Sequence, residues 1–130
     1  MSDPYNFPQP ENNKINVLGT ALASCCFAPL TGYYRNGFCH TGETDLSFHT
    51  VCAKITREFL EFSASRGNDL TTPIPEHHFY GLQPNDFWCV SALRWLEALD
   101  YGVAPPIKLE ACHESLLKLV DIDTLKQYAI

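Results

Sequence analysis

Cysteine and histidine are the residues of this chain best equipped for chemistry. Six cysteines (Cys25, Cys26, Cys39, Cys52, Cys89 and Cys112) and five histidines occur in 130 residues. A thiolate is a nucleophile and a soft metal ligand, and an imidazole serves as base or ligand near neutral pH. Such cysteines bind metal, react, or pack as small hydrophobes.

Zinc takes four tetrahedral ligands that usually arrive as closely spaced pairs. The pairs available are Cys39-His40, His49-x-x-Cys52 and Cys112-His113, with Cys89 alone. On a helix His49 and Cys52 would face one side, so a zinc or iron set would comprise Cys39, His49, Cys52 and Cys89. The spacing otherwise argues against it, for there is no Cys-x-x-Cys and no His-x-x-x-His. The plainer expectation is no metal cofactor.

A reactive thiolate would be Cys52 or Cys89, each in the first two turns of an expected helix whose N-terminal partial charge lowers a thiol pKa; Cys52 has the nearer base. His49 would be its base, with Glu110 to orient it or His113 in its place. Against this, Cys52 falls in register with Ile55, Phe59 and Phe62 on a core face where thiols are inert. The vicinal pair Cys25-Cys26 reads as two reduced side chains.

A third constellation needs no thiol. Arg35 adjoins a turn, Asn68 and Asp69 open a long loop, and Glu110 and His113 flank a strand end. An arginine among loop residues favours a carboxylate or phosphate ligand. The competing reading makes Asn68-Asp69 ordinary turn chemistry and Arg35 with Asp69 a structural ion pair. His77 and His78 sit in a proline-bounded loop and read as solvated.

These residues must be held by elements that the sequence pattern suggests. Residues 1–13 form a polar, proline-bearing arm, and 14–130 a single domain. Ile15 to Leu18 reads as a short strand. Asn36-Gly37 between aromatic segments predicts the tip of a β-hairpin. The 3-4-3 spacing of Cys52, Ile55, Phe59 and Phe62 predicts a helix over 47–65, with Lys54–Glu58 and Arg57–Glu61 pairs on its outer face. Pro73 and Pro75 make 68–84 a loop. A second helix is expected from Asn85 or Asp86 to Tyr101, with Trp88 and Trp95 on one face. Ile107 to Ala111 alternates like a strand, and 114–120 and 124–129 read as short helices, the latter capped by Asp121 or Asp123. The order predicts an α+β two-layer domain, two main helices on a small, mainly antiparallel sheet.

Composition narrows the function classes. Hydrophobic residues make up 45%, which suits a globular core. With 9 basic against 15 acidic residues the formal charge is −6, and the basic residues are scattered, so no nucleic-acid partner is expected. No apolar run is long enough for a membrane span. Residues 1–13 show neither a basic n-region nor an apolar h-region, so the expected setting is the cytoplasm, with free thiols.

Several phrases are more specific than these patterns. They include Asn16-Val-Leu-Gly19, Pro29-Leu-Thr-Gly32-Tyr-Tyr-Arg35-Asn-Gly37, His49-Thr-Val-Cys52-Ala, Arg66-Gly-Asn-Asp69-Leu, Trp88-Cys89, Arg94-Trp95 and Gly102-Val-Ala-Pro-Pro106. Together they resemble domain-of-unknown-function family 2237, small and mostly bacterial proteins, over roughly residues 15–129. The resemblance implies an α+β fold and no established activity. It also implies cysteine at Cys25, Cys39, Cys52 and Cys89 and histidine at His49 and His113 as family features, with Cys26 and Cys112 as local departures. The expected function is binding of a small anionic ligand or metabolite through Arg35, Asn68, Asp69, Glu110 and His113. The alternatives are a thiol- or metal-dependent enzyme and a partner-binding module.

Overall fold

The computed structural model describes residues 14–130, so the expectation for the 1–13 arm lies outside the described residues. The fold is α+β. Strand β1 (Val51–Lys54) and strand β2 (Phe87–Val90) make a two-stranded antiparallel sheet, with Val51 opposite Val90 and Cys52 opposite Cys89. Helix α1 (Arg57–Ser65) follows β1, helix α2 (Ala92–Asp100) follows β2, and helix α3 (Ile122–Gln127) closes the chain. Short 3₁₀ turns cover Pro75–His77, Leu109–Ala111 and Glu114–Lys118. No helix of the described residues is long and apolar enough to cross a membrane.

Each of the two long helices predicted from the sequence is a strand followed by a shorter helix. Val51 is β-branched, and Phe87 and Trp88 are aromatic; such side chains suit a pleated surface. The breaks fall at cap residues. Thr56 is extended and its hydroxyl accepts from Phe59 N at 3.1 Å, which starts α1. Ser91 does the same for α2, accepting from Arg94 N at 3.4 Å. Lys54 therefore lies on a strand, in register with Phe87, and not on one helix with Glu58. Trp88 and Trp95 likewise sit on different elements, β2 and α2.

Other expected strands shrink to single bridges. Asn16 bridges His113, and Ile107 bridges both Ala53 and Ala129. The predicted hairpin at Asn36-Gly37 is instead a compact loop. Gly32 and Gly37 take φ of 102° and 90°, Arg35 takes 53°, and the Gly37 carbonyl accepts from Cys25 N. Gly37 bonds to Cys25, Cys26 and Thr31, and Cys39 on the far flank makes a β-bridge with Cys112. The short helix expected at 124–129 is α3, capped by Asp121, whose carboxylate accepts from Thr124 N at 2.8 Å.

The core sits between the sheet, the helices and the C-terminal turns. Phe59, Trp95, Ile107, Leu116 and Leu125 are fully buried within it. Trp95 donates its indole N–H to the Pro105 carbonyl at 3.1 Å, which satisfies the polar end of a buried ring. Arg66 of the α1 C-cap reaches Glu97 of α2 at 3.4 Å and lies over Tyr101, tying the two helices at their outer ends.

Candidate functional site: an arginine-walled cleft over bridged cysteines

Four of the six cysteines are bridged, which corrects the expectation of free thiols for those four. Cys25 is bonded to Cys52 and Cys39 to Cys89, with Cα separations of 5.6 and 5.2 Å, within the range a disulfide spans. The physical reason is the strand register. Cys52 and Cys89 are cross-strand neighbours on one face of the sheet, and the 25–39 segment lies across that face, bringing a partner to each. Cys26 and Cys112 remain free thiols. Burial pushes the Cys112 thiol up to about 12, although the Cys52 N–H pointing at its sulfur acts the other way. That thiol is inert near neutrality.

The proposed metal and catalytic residues are distributed differently from the expectation. The sulfurs of Cys25, Cys39 and Cys89 lie within 4.8 Å of one another, and His49 is not in that group. In the bridged state Cys39, Cys52 and Cys89 carry no free thiolate to offer an ion. Cys52 lies on a strand and is fully buried, so neither a helix N-terminus nor solvent activates it.

His49 is held by a partner that the sequence reading missed. Its Nδ1 lies 2.6 Å from a carboxylate oxygen of Asp45, and the other oxygen accepts from the His49 N–H at 2.8 Å and the Thr41 hydroxyl at 3.2 Å. Burial disfavours the Asp45 charge, yet the hydrogen bonds from His49 and Thr41 outweigh it and hold the carboxyl below its ordinary value. The His49 ring is stacked beside Tyr33, with centroids 5.8 Å apart. Only the spacing Asp45-x-x-x-His49 could have signalled this pair, and in a loop that spacing carries no fixed geometry.

His49 opens onto a cleft of about 420 Å³ whose walls include Tyr33, Arg35, Asn68, Asp69, Trp88 and Cys89. Arg35 is half-buried, with its guanidinium carbon 5.2 Å from the Trp88 ring centroid. It donates Nε–H to the His77 carbonyl at 3.2 Å and Nη1–H to the Gly32 carbonyl at 2.5 Å. Burial lowers its pKa. Among the described residues no carboxylate forms an ion pair with it; the ion pairs are His49–Asp45, Arg66–Glu97 and Arg94–Glu97.

Asp69 shares the cleft wall but is engaged by its own turn. One oxygen accepts from the N–H and hydroxyl of Thr71, both at 2.8 Å, and the other from the Thr72 hydroxyl at 2.5 Å. Those bonds, the Thr72 hydroxyl first, hold its carboxyl down to about 2. The structural Arg35–Asp69 ion pair is thus absent among the described residues, and Asp69 makes an Asx turn. Asn68 also lines the cleft, so Arg35, Asn68 and Asp69 come together as a group.

Glu110 and His113 do not line it. Glu110 is exposed, and His113 is buried, its Nδ1 accepting from Ser115 N at 3.1 Å to start the turn Glu114–Lys118. His113 borders a separate groove of about 560 Å³ whose walls carry Glu43 and Glu114 against Lys118. The strand end expected to carry them toward the long loop is the 3₁₀ turn Leu109–Ala111. Trp88 is buried in the core, as the sequence reading had it, and also borders the cleft; the metal set read from the sequence lacked Cys25. Strand β2, which presents Trp88 to the cleft, was read there as helix.

Fold and site together define a small α+β domain with a bridged four-cysteine centre beneath an arginine-walled cleft. Over residues 15–129 the chain matches the model of the family described as uncharacterized protein conserved in bacteria, DUF2237, and it belongs to that family. No curated protein matches it.

Proposed function

We propose that the cleft binds a small anionic ligand, a carboxylate or phosphate, between Arg35 and His49. The observation that carries this reading is the Arg35 guanidinium, half-buried on a concave wall and bonded to carbonyl oxygens without a carboxylate partner among the described residues. A cation withdrawn from water is costly until an anion meets it, and the planar fork suits two oxygens. Trp88 stacks on one face of the guanidinium and limits its rotamers, so little ordering remains to be done on binding. Asn68, also in the lining, supplies an amide, and His49, oriented by Asp45, adds an imidazole. Glu76 and Asp69 also border the cleft, which favours a ligand of small, localised charge that reaches Arg35 without crossing them. The groove beside His113 suits an anion less, because Glu43 and Glu114 would face it.

The test is thermal denaturation with inorganic phosphate and with malonate as probes. Ligand at a hundred times its Kd stabilises the folded state by about 2.7 kcal/mol. We expect wild type to gain melting temperature with at least one probe. Arg35→Gln, which keeps the stem over Trp88 but removes the charge, should fold normally and lose that gain. An equal gain in the variant would reject Arg35 as the anchor.

A second reading draws on Cys89, which borders the same cleft as His49. It is thiol-dependent chemistry with Cys89, rather than Cys52, as the sulfur that faces ligand once its bridge opens. His49 would then be the base and Asp45 the group that orients it. It predicts that, under reducing conditions, iodoacetamide labels Cys89 fastest and that His49→Gln slows this labelling. Labelling confined to Cys26 would remove it.

A further inference from the structure

The two bridges are neighbours as well as partners in the fold. Cys52 and Cys89 face one another across the β1–β2 ladder. Their backbone N–H groups point away from each other, to Cys112 Sγ at 3.4 Å and to Thr31 Oγ1 at 2.8 Å, whereas Ile55 N, three residues on, donates to Asp86 O. Cys52–Cys89 is therefore a non-hydrogen-bonded pair, the kind whose Cα atoms sit only about 4.5 Å apart with side chains close together. Cys25, Cys39 and Cys89 have all their sulfurs within 4.8 Å of one another. Cys25 thus has Cys39 in reach besides its partner Cys52, and Cys52 stands directly across the ladder from Cys89.

We propose that these four cysteines form a thiol–disulfide exchange centre that a small thiol converts between two connectivities. The cleft is the entry, because Cys89 lines it. The thiolate of the small thiol attacks Cys89 Sγ; the Cys39–Cys89 bond breaks and Cys39 leaves as thiolate. Cys39 then attacks Cys25 Sγ, forming Cys25–Cys39 and releasing Cys52 as thiolate. Cys52 attacks Cys89 Sγ in the mixed disulfide, forming Cys52–Cys89 and returning the small thiol. Every step makes one S–S bond and breaks one, so the thiol is a catalyst and no net electrons are consumed.

The two connectivities treat the segment carrying Tyr33 and Arg35 differently. In the present one, Cys25 ties one end of residues 25–39 to β1 and Cys39 ties the other to β2. In the other, that segment is closed upon itself and β1 is stapled to β2. The Arg35 wall would then be held to the sheet by non-covalent contacts alone, the Cys89 N–H to Thr31 Oγ1 bond and Arg35 over Trp88 among them. The exchange centre therefore controls how rigidly the cleft is walled.

The experiment is a disulfide map of the folded, full-length protein after anaerobic incubation with substoichiometric reduced glutathione. Exchange is quenched with acid and free thiols are alkylated. Cleavage at both basic and acidic residues separates Cys39 from Cys52 at Glu43, and fragmentation distinguishes Cys25 from Cys26. We expect Cys25–Cys39 and Cys52–Cys89 peptides to appear while the number of disulfides stays constant. In Cys52→Ser, the freed Cys25 should be found mostly joined to Cys39 or Cys89. A wild-type map that keeps only the original pairs overturns the proposal. So does bulk reduction without new pairs, or a purified protein with four thiols holding one equivalent of zinc. If Cys52→Ser does not fold, the wild-type map decides alone. The map is repeated with 2-mercaptoethanol, an uncharged thiol that needs no anion site, so failure of anion binding leaves this result readable.

Discussion

At the scale of single residues, the clearest consequence of folding is what burial does to His40. Its ring is fully enclosed against the Tyr34 and Phe38 rings; Nε2 meets the Asn36 side chain at 2.9 Å, and Nδ1 has no hydrogen-bond partner among the described residues. Burial foremost, then the positive charges of Lys14 and His113, lower its pKa to about 4. The unfolded chain takes up this proton near pH 6.5, while the folded one refuses it until about pH 4. Stability is therefore complete above pH 6.5 and falls as the pH drops toward 4, by on the order of 3 kcal/mol from this group. Urea denaturation of wild type and His40→Phe across that interval should show a steep acid loss in the first and a flatter one in the second. Equal slopes would assign the acid loss to other groups. Asp45 acts lower on the scale, since its depressed carboxyl gives up stability only as the pH falls below the ordinary aspartate value.

At the scale of elements, two hydroxyls decide where strands end and helices begin. Thr56 and Ser91 each cap a nine-residue helix directly after a strand. Ser91 does more, because it also donates to the Ser47 carbonyl at 2.8 Å, across from the loop that leads into β1. Thr56→Ala should cost about 1 kcal/mol, the usual loss of an N-cap. Ser91→Ala should cost about 2 kcal/mol, since the partly buried Ser47 bond is lost with the cap. Chemical denaturation of the two variants checks the order, and a smaller loss at Ser91 would show that the Ser47 contact contributes little. The cap residues were legible in the sequence only after the fact. The apolar spacing ran through Thr56 and Ser91 without a break, because a buried strand and the inner face of a helix are both apolar over four residues. The Asn36-Gly37 hairpin failed for a related reason. A type I′ turn needs positive φ at both Asn36 and Gly37, but the residues that take it are Gly32, Arg35 and Gly37, and Gly37 bonds back to Cys25, Cys26 and Thr31.

At the scale of the whole molecule, the bridges are the long-range ties. They close loops of 27 and 50 residues, and chain-entropy arguments assign them about 3.5 and about 4 kcal/mol respectively. Full reduction should therefore lower the melting temperature strongly, and a Cys39→Ala/Cys89→Ala double variant should lose more than Cys25→Ala/Cys52→Ala. Calorimetry in the presence and absence of a phosphine reductant measures both. An unchanged melting temperature on complete reduction would mean that packing alone carries the fold.

The sequence by itself determined the class of fold, the family, the helix at 122–127 in outline, and the grouping of Arg35, Asn68 and Asp69 on loops around one region. It did so because turn chemistry, apolar patterning and residue type are local properties. Which cysteines pair, which histidine meets a buried carboxylate, and which of the candidate polar residues share a cleft were decided only by the tertiary structure. Cys52 meets Cys25, His49 meets Asp45 in a loop, and Glu110 and His113 fall outside the lining of the cleft. Each of these depends on how the 25–49 segment crosses the β1–β2 face, and no periodicity in the chain encodes that crossing.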